Sequence, residues 1–132
     1  MRLKLRREFL FVADGEADRR KRVVIQARRH PEPRAEAGLG FTATKKVGNS
    51  VVRNRARRRL REAARLRLPV MGMGGVDYVF IARLETGDCP WPALLDDVET
   101  ALLSLRRRLA AGDDAAPKRG RTRAPATPAS KG

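Results

Sequence analysis

The sequence holds a single cysteine, Cys89, in 132 residues. A lone thiol excludes an intramolecular disulfide and leaves a zinc cluster without its usual ligand set. Flanked by Asp88 and Pro90 and followed by no histidine, it is not expected to act as a nucleophile. Histidine is equally scarce: His30, beside Pro31, is the only one, with no carboxylate cluster at ligand spacing. Neither a metal site nor a polypeptide catalytic constellation is expected. No apolar run approaches the roughly 20 residues of a membrane span. The longest, Tyr78 to Ala82, suits a buried strand. The opening residues Met1 to Arg7 are charged, with no apolar stretch behind them, so no secretory signal is expected and the cytoplasm is the expected compartment. No internal repeat is visible.

Acidic side chains are also few. Fifteen Asp and Glu stand against 30 Lys and Arg, a formal charge of +15. Self-repulsion at that charge opposes compactness, so a polyanionic partner is the natural reading. The charge is unevenly placed. Residues 45–67 hold ten basic side chains and one acid, whereas residues 68–105 hold one basic side chain, Arg83, and six acids. A charge serving solubility alone would be spread more evenly.

The length fits one domain with a tail. Leu3, Leu5, Phe9, Leu10 and Val12 among basic residues predict a helix over 6–13. Residues 22–28 are β-branched at the centre and read as a strand; 30–37, with two prolines, read as loop. Residues 38–46 alternate as a strand, with Leu39, Phe41 and Ala43 on one side and Thr42, Thr44 and Lys46 on the other. Gly48 breaks that strand, and Asn49 or Ser50 can cap a helix over 51–67. At about 100° per residue, Val52, Ala56, Leu60, Ala63 and Ala64 share an arc, and Arg53, Asn54, Arg57, Arg58, Arg61 and Arg65 are read on the other side. Pro69 and Gly72, Gly74 and Gly75 are expected to end the helix. A strand over 77–83, a turn at Pro90 to Pro92 and a helix over 93–109 follow. From Ala110 the chain lacks apolar periodicity and is expected to be a disordered basic tail, residues 110–132, after a domain of residues 1–109. This order suggests a small sheet with helices packed on it.

The informative stretch is Lys45-Lys46-Val47-Gly48-Asn49-Ser50-Val51-Val52-Arg53-Asn54-Arg55-Ala56-Arg57-Arg58-Arg59-Leu60-Arg61-Glu62. A strand brings two lysines to a turn, and the turn opens a helix whose free amides favour anions. Arginines then follow along its outer face, each able to bridge phosphate oxygens with two parallel hydrogen bonds. Asn54 carries a donor and an acceptor suited to a ribose hydroxyl or a base edge. A solvated face is the ordinary reading of a charge run. Eight arginines within 53–67 facing one Glu leave too few acids for i,i+4 pairing to explain them. Such a surface holds folded RNA by backbone and shape.

This segment closely resembles the signature of the bacterial ribonuclease P protein family, a Lys-Lys-x-Gly-Asn-x-x-x-Arg-Asn-Arg block followed by basic residues. Lys45, Lys46, Gly48, Asn49, Arg53, Asn54, Arg55, Arg57, Arg58 and Arg61 occupy its fixed positions. Arg2-Leu3 with Glu8-Phe9 resembles the family's first helix, and residues 77–83 its last strand. The resemblance implies an α+β fold: a small two-layer sandwich with a mixed sheet of three to four strands and a left-handed crossover through the basic helix, against the usual handedness. It implies a protein subunit that binds the catalytic RNA and the single-stranded 5′ leader of precursor tRNA, assisting removal of the leader. Hydrolysis would be carried by the RNA and its Mg2+, with no cofactor on the protein and a monomer in a 1:1 complex. Lys45, Lys46, Asn49, Arg53, Asn54, Arg55, Arg57, Arg58, Arg61 and Arg65 are the RNA-binding candidates. Phe9 is the leading cleft residue, since a ring can stack on an unpaired base; a plain core position is its other reading. Val23, Ile25, Phe41 and Ala43 are further candidates, the pattern leaving open which sheet face is core. The family's second aromatic, one helical turn on, is replaced by Ala13.

Trp91 is expected to anchor the last helix, and Asp96, Asp97 and Glu99 to favour its positive end. Lys118, Arg119, Arg121, Arg123 and Lys131 are read either as loose phosphate contacts or as a solubilising extension. The main rival is a non-enzymatic structural RNA-binding protein of ribosomal or chaperone type, which needs charge but not this spacing. A DNA-binding helix-turn-helix would need a short helix, not a strand, before the arginine helix. A stand-alone protein nuclease would need an acid, base or metal cluster.

Overall fold

The computed structural model describes residues 1–112. Its elements are α1 (Arg6–Ala13), β1 (Glu16–Arg19), β2 (Val23–Arg29), β3 (Gly38–Thr42), a single 3-10 turn (Lys45–Val47), α2 (Ser50–Met71), β4 (Val76–Ala82) and α3 (Trp91–Gly112). The sheet runs β1-β2-β4-β3. β1, β2 and β4 are antiparallel neighbours, and β3 lies parallel to β4. Parallel neighbours need a crossover, and α2 supplies it.

Strand parity sorts the residues between two faces. Val23, Ile25 and Ala27 of β2 and Val76, Tyr78, Phe80 and Ala82 of β4 point into one core, closed by Ala56, Leu60, Ala63 and Ala64 of α2 and by Leu94, Val98, Ala101, Leu102 and Leu105 of α3. The opposite face carries a smaller cluster of Leu3, Val12 and Val79, with Phe9, Phe11 and Ile81 packed on it. α1 therefore lies on the face that α2 and α3 leave open.

Several boundaries differ from the pattern, each for a physical reason. β1 was not anticipated: Glu-Ala-Asp-Arg has no β-branched residue. It is held instead by its register with β2 and by Asp18, buried at 7% exposure and receiving a 3.0 Å hydrogen bond from Arg108. β3 stops at Thr42, and the two lysines ride on the 3-10 turn rather than on the strand. α2 runs through Pro69 to Met71. Proline removes one backbone donor near the helix end, where few bonds follow, and Gly72 still donates to the Leu68 carbonyl at 2.7 Å. α3 starts at Trp91, with Pro92 tolerated in its first turn, and extends to Gly112, so residues 110–112 are helical rather than tail. The remaining tail cations lie outside the described residues. Trp91 packs on the core as expected. Asp97 and Glu99 are instead tied laterally, Asp97 to Arg22 at 3.2 Å and Glu99 to Arg67 at 3.6 Å.

Candidate nucleic-acid interface

The entry to α2 is built by two residues of the motif. Gly48 has φ +150°, and a Cβ there would fall 2.9 Å from the Cβ of Val52, so a side chain is excluded by both conformation and space. Asn49 is the N-cap: its Oδ1 accepts the Val52 amide at 3.0 Å. A residue expected to touch RNA thus has its acceptor committed to starting the helix.

Apart from Arg67, which pairs with Glu99, the arginines of α2 divide into three groups. Arg59 is structural. Its guanidinium donates to the carbonyls of Thr86 and Cys89, both at 2.7 Å, and stands 5.5 Å from the Trp91 ring centroid. It pins α2 to the loop leading into α3. A second group has exposed partners: Arg55 pairs with Asp88 at 2.8 Å, Arg65 with Glu62, and Arg57 donates to Asn54 Oδ1. The Glu62 carboxylate is held below its ordinary pKa by the Arg65 hydrogen bond, and Arg65 is raised by the same contact. Exposed pairs of this kind stabilise little and yield readily to a phosphate.

The third group is free. Among the described residues, Lys45, Lys46, Arg53, Arg58 and Arg61 have no side-chain partner. All but Arg53 are exposed. Arg53 is half-buried, because a position about 60° round the helix from Ala56 borders the buried stripe rather than opposing it. The turn lysines and these arginines form a continuous cationic surface at the start and outer side of the crossover helix.

The other candidate surface is the sheet face beneath α1. Cross-strand register places Arg19, Val24, Ile81 and Thr42 in one row, and Ala17, Gln26, Val79 and Gly40 in the next. Phe9 lies over Gly40: a Cβ there would be 2.5 Å from its ring. Arg19 and Arg83 are close enough to interact, and burial followed by the Arg83 charge lowers the Arg19 pKa from its ordinary value. Of the five cleft candidates, only Phe9 is on this face. Val23 and Ile25 are fully buried beneath α2 and α3. Phe41, 5.4 Å from the Phe80 ring, and Ala43 pack on that same core. These four face the core under α2 and α3 rather than α1. Once β4 is recognised as apolar on both faces, strand parity could have shifted attention to Val24, Thr42, Ile81 and Arg83.

A four-stranded mixed sheet with a cationic crossover helix on one face and an aromatic-bearing helix on the other defines a small α+β protein suited to hold a polyanion. Known proteins agree. Residues 1–106 match the Ribonuclease P family. The ribonuclease P protein component of Caulobacter vibrioides NA1000 is 52% identical over 111 residues, spanning 84% of this chain and 74% of the relative. That of Ruegeria pomeroyi is 49% identical over 105 residues, spanning 78% and 84%. The solved RNase P protein of Thermotoga maritima superposes with a TM-score of 0.67 at 26% identity, spanning 79% and 96%. That of Staphylococcus aureus gives 0.68 at 24% identity, spanning 80% and 94%, a likeness of fold. The chain belongs to the ribonuclease P protein family, the protein subunit of an endoribonuclease complex in tRNA processing.

Among the described residues, no helix is long and apolar enough to cross a membrane, and no group of three or more His, Cys, Asp or Glu could hold a metal ion.

Proposed function

We propose that this chain binds the ribonuclease P RNA through Lys45, Lys46, Arg53, Arg57, Arg58 and Arg61, and holds the 5′ leader of precursor tRNA on the sheet face beside Phe9. The observation that carries this reading is the run of cations without acidic partners along the outer side of α2, in a chain of this family. Guanidinium groups left unpaired in the free protein are ready to take phosphate oxygens without first breaking an ion pair. The α1 face supplies the complementary chemistry: a ring for one unpaired base, the part-exposed side chain of Ile81, and guanidinium groups at Arg19 and Arg83 for the backbone.

Cleavage is assigned to the RNA subunit. The Mg2+ of the assembly is assigned to the RNA. The protein contributes electrostatics and substrate grip, as a monomer in a 1:1 complex in the cytoplasm.

Reconstitution tests the reading. The purified chain is combined with a bacterial ribonuclease P RNA at low magnesium, with precursor tRNA as substrate. RNA-dependent cleavage at the mature 5′ end, stimulated by the protein, is the expected result. Tight RNA binding without stimulation would overturn it in favour of a structural RNA-binding role.

A further inference from the structure

α1 carries a second aromatic that the leader-holding face does not use. Phe9 and Phe11 lie about 200° apart around the helix, on opposite flanks. Phe9 rests on β3 at Gly40, whereas Phe11 lies towards the end of β2, with the Arg28 guanidinium 4.2 Å from its ring centroid and the His30 ring tilted at 5.9 Å. On the Phe11 flank there is a cavity of about 230 Å³, walled by Phe11, His30 and Pro31, with Arg7 and Arg34 among its cations.

The acids around this cavity are already committed. Glu8 accepts the backbone amides of Lys4 and Leu5 at 2.7 and 2.8 Å, and Asp77, buried at 3% exposure, is paired with Arg34. One cation is not used up: Arg7 is exposed and has no hydrogen-bond or ion-pair partner among the described residues, whereas Arg34 is tied to Asp77 and to the Met1 sulfur. His30 Nδ1 lies 3.1 Å from the Glu32 amide nitrogen and 3.3 Å from the Glu32 carbonyl oxygen. The volume lies below the roughly 300 Å³ at which pockets begin to enclose a drug-sized ligand, so it suits one ring system.

From this geometry we propose a second nucleotide site: the Phe11–His30 cavity takes one unpaired base of an RNA strand, with Arg7 on its phosphate. The flat ring meets Phe11 and the imidazole. The site rests on the RNA-binding reading above but lies on the other flank of α1 from Phe9. The strand is either the distal part of a long precursor leader or a single-stranded segment of the RNA subunit.

The test uses the reconstituted holoenzyme with precursor tRNAs whose leaders lengthen one nucleotide at a time. Affinity is compared for wild type, Phe11→Leu and His30→Ala, with Arg7→Ala as an exposed variant that leaves the fold untouched. Base stacking of the usual strength makes the expected loss about fivefold or more per ring removed. A loss confined to leaders beyond a threshold length supports the site with the leader as occupant. A loss at every leader length, matched by weaker binding of the RNA subunit alone, supports the site with that RNA as occupant. Unchanged affinity at all lengths in folded His30→Ala and Arg7→Ala overturns the site. Failure of the wild-type protein to stimulate cleavage would instead fault the underlying reading, so the two failures are distinguishable.

Discussion

The Phe9 ring lies on the backbone of Gly40, so close that a Cβ at position 40 would stand 2.5 Å from Cε2 and 2.7 Å from Cζ. The glycine lets α1 settle on the sheet and fixes where the ring can sit. Gly40→Ala is expected to displace Phe9 and cost about 1–3 kcal/mol, the usual range for overpacking. A thermal melt reads the stability. Precursor affinity should fall more than mature tRNA affinity, as it should for Phe9→Ala. Equal losses for both ligands would place Phe9 outside the leader path.

Arg53 and Arg59 sit six residues apart on one helix and should behave oppositely. Arg53→Ala and Arg57→Ala are expected to weaken assembly with the RNA subunit and to lower its salt slope by about 0.7–0.9 for each phosphate no longer held. Arg59→Ala removes the donors to Thr86 and Cys89 and is expected to lower protein stability by about 1–3 kcal/mol. Salt titration of RNA binding and urea unfolding separate the two. An unchanged salt slope in both Arg53→Ala and Arg57→Ala would remove those residues from the interface.

Glu8 links the start of α1 to pH. Its pKa is lowered first by the Leu5 amide, then by that of Lys4. A carboxylate depressed in the folded state stabilises the protein above its unfolded pKa, and that contribution is lost as pH falls through the folded value. The Tm difference between wild type and Glu8→Ala should therefore be present at neutral pH and close below the ordinary carboxylate range, near 4.5. A difference that persists unchanged in acid would mean Glu8 acts through packing.

Asp77 and Arg34 join β4 to the loop before β3 through a pair whose Asp end is buried. Asp77→Ala leaves a partly buried guanidinium without its counter-charge, at a cost of about 3 kcal/mol, the lower end for breaking a buried pair because Arg34 keeps some solvent contact. Asp77→Ala combined with Arg34→Ala should recover part of this loss in urea unfolding. A fully additive double variant would mean that the two side chains are not coupled.

Elements whose own residues carry a strong periodic pattern are legible in the sequence. The α2 stripe of Ala56, Leu60, Ala63 and Ala64 is buried as its spacing demands, and β4 is apolar throughout its centre. β1 is not legible there, since its four residues gain their strand conformation from pairing with β2 and from the Asp18–Arg108 contact. Arg59 looks like its neighbours in sequence and differs only because the loop carbonyls of Thr86 and Cys89 arrive beneath it.

The sequence by itself determined that a cationic helix follows a capped glycine turn, because charge, helical period and N-cap chemistry are local properties. It also determined the family, through residues at fixed spacing. Tertiary structure alone decided which sheet face is core. The period of a strand is the same whichever way it faces, so Val23 and Ile25 could be assigned to the interior, and Val24 and Ile81 to the α1 side, only once α2 and α3 had covered one face. It likewise decided which arginines stay free for a partner, since that depends on acids and carbonyls brought in from distant parts of the chain.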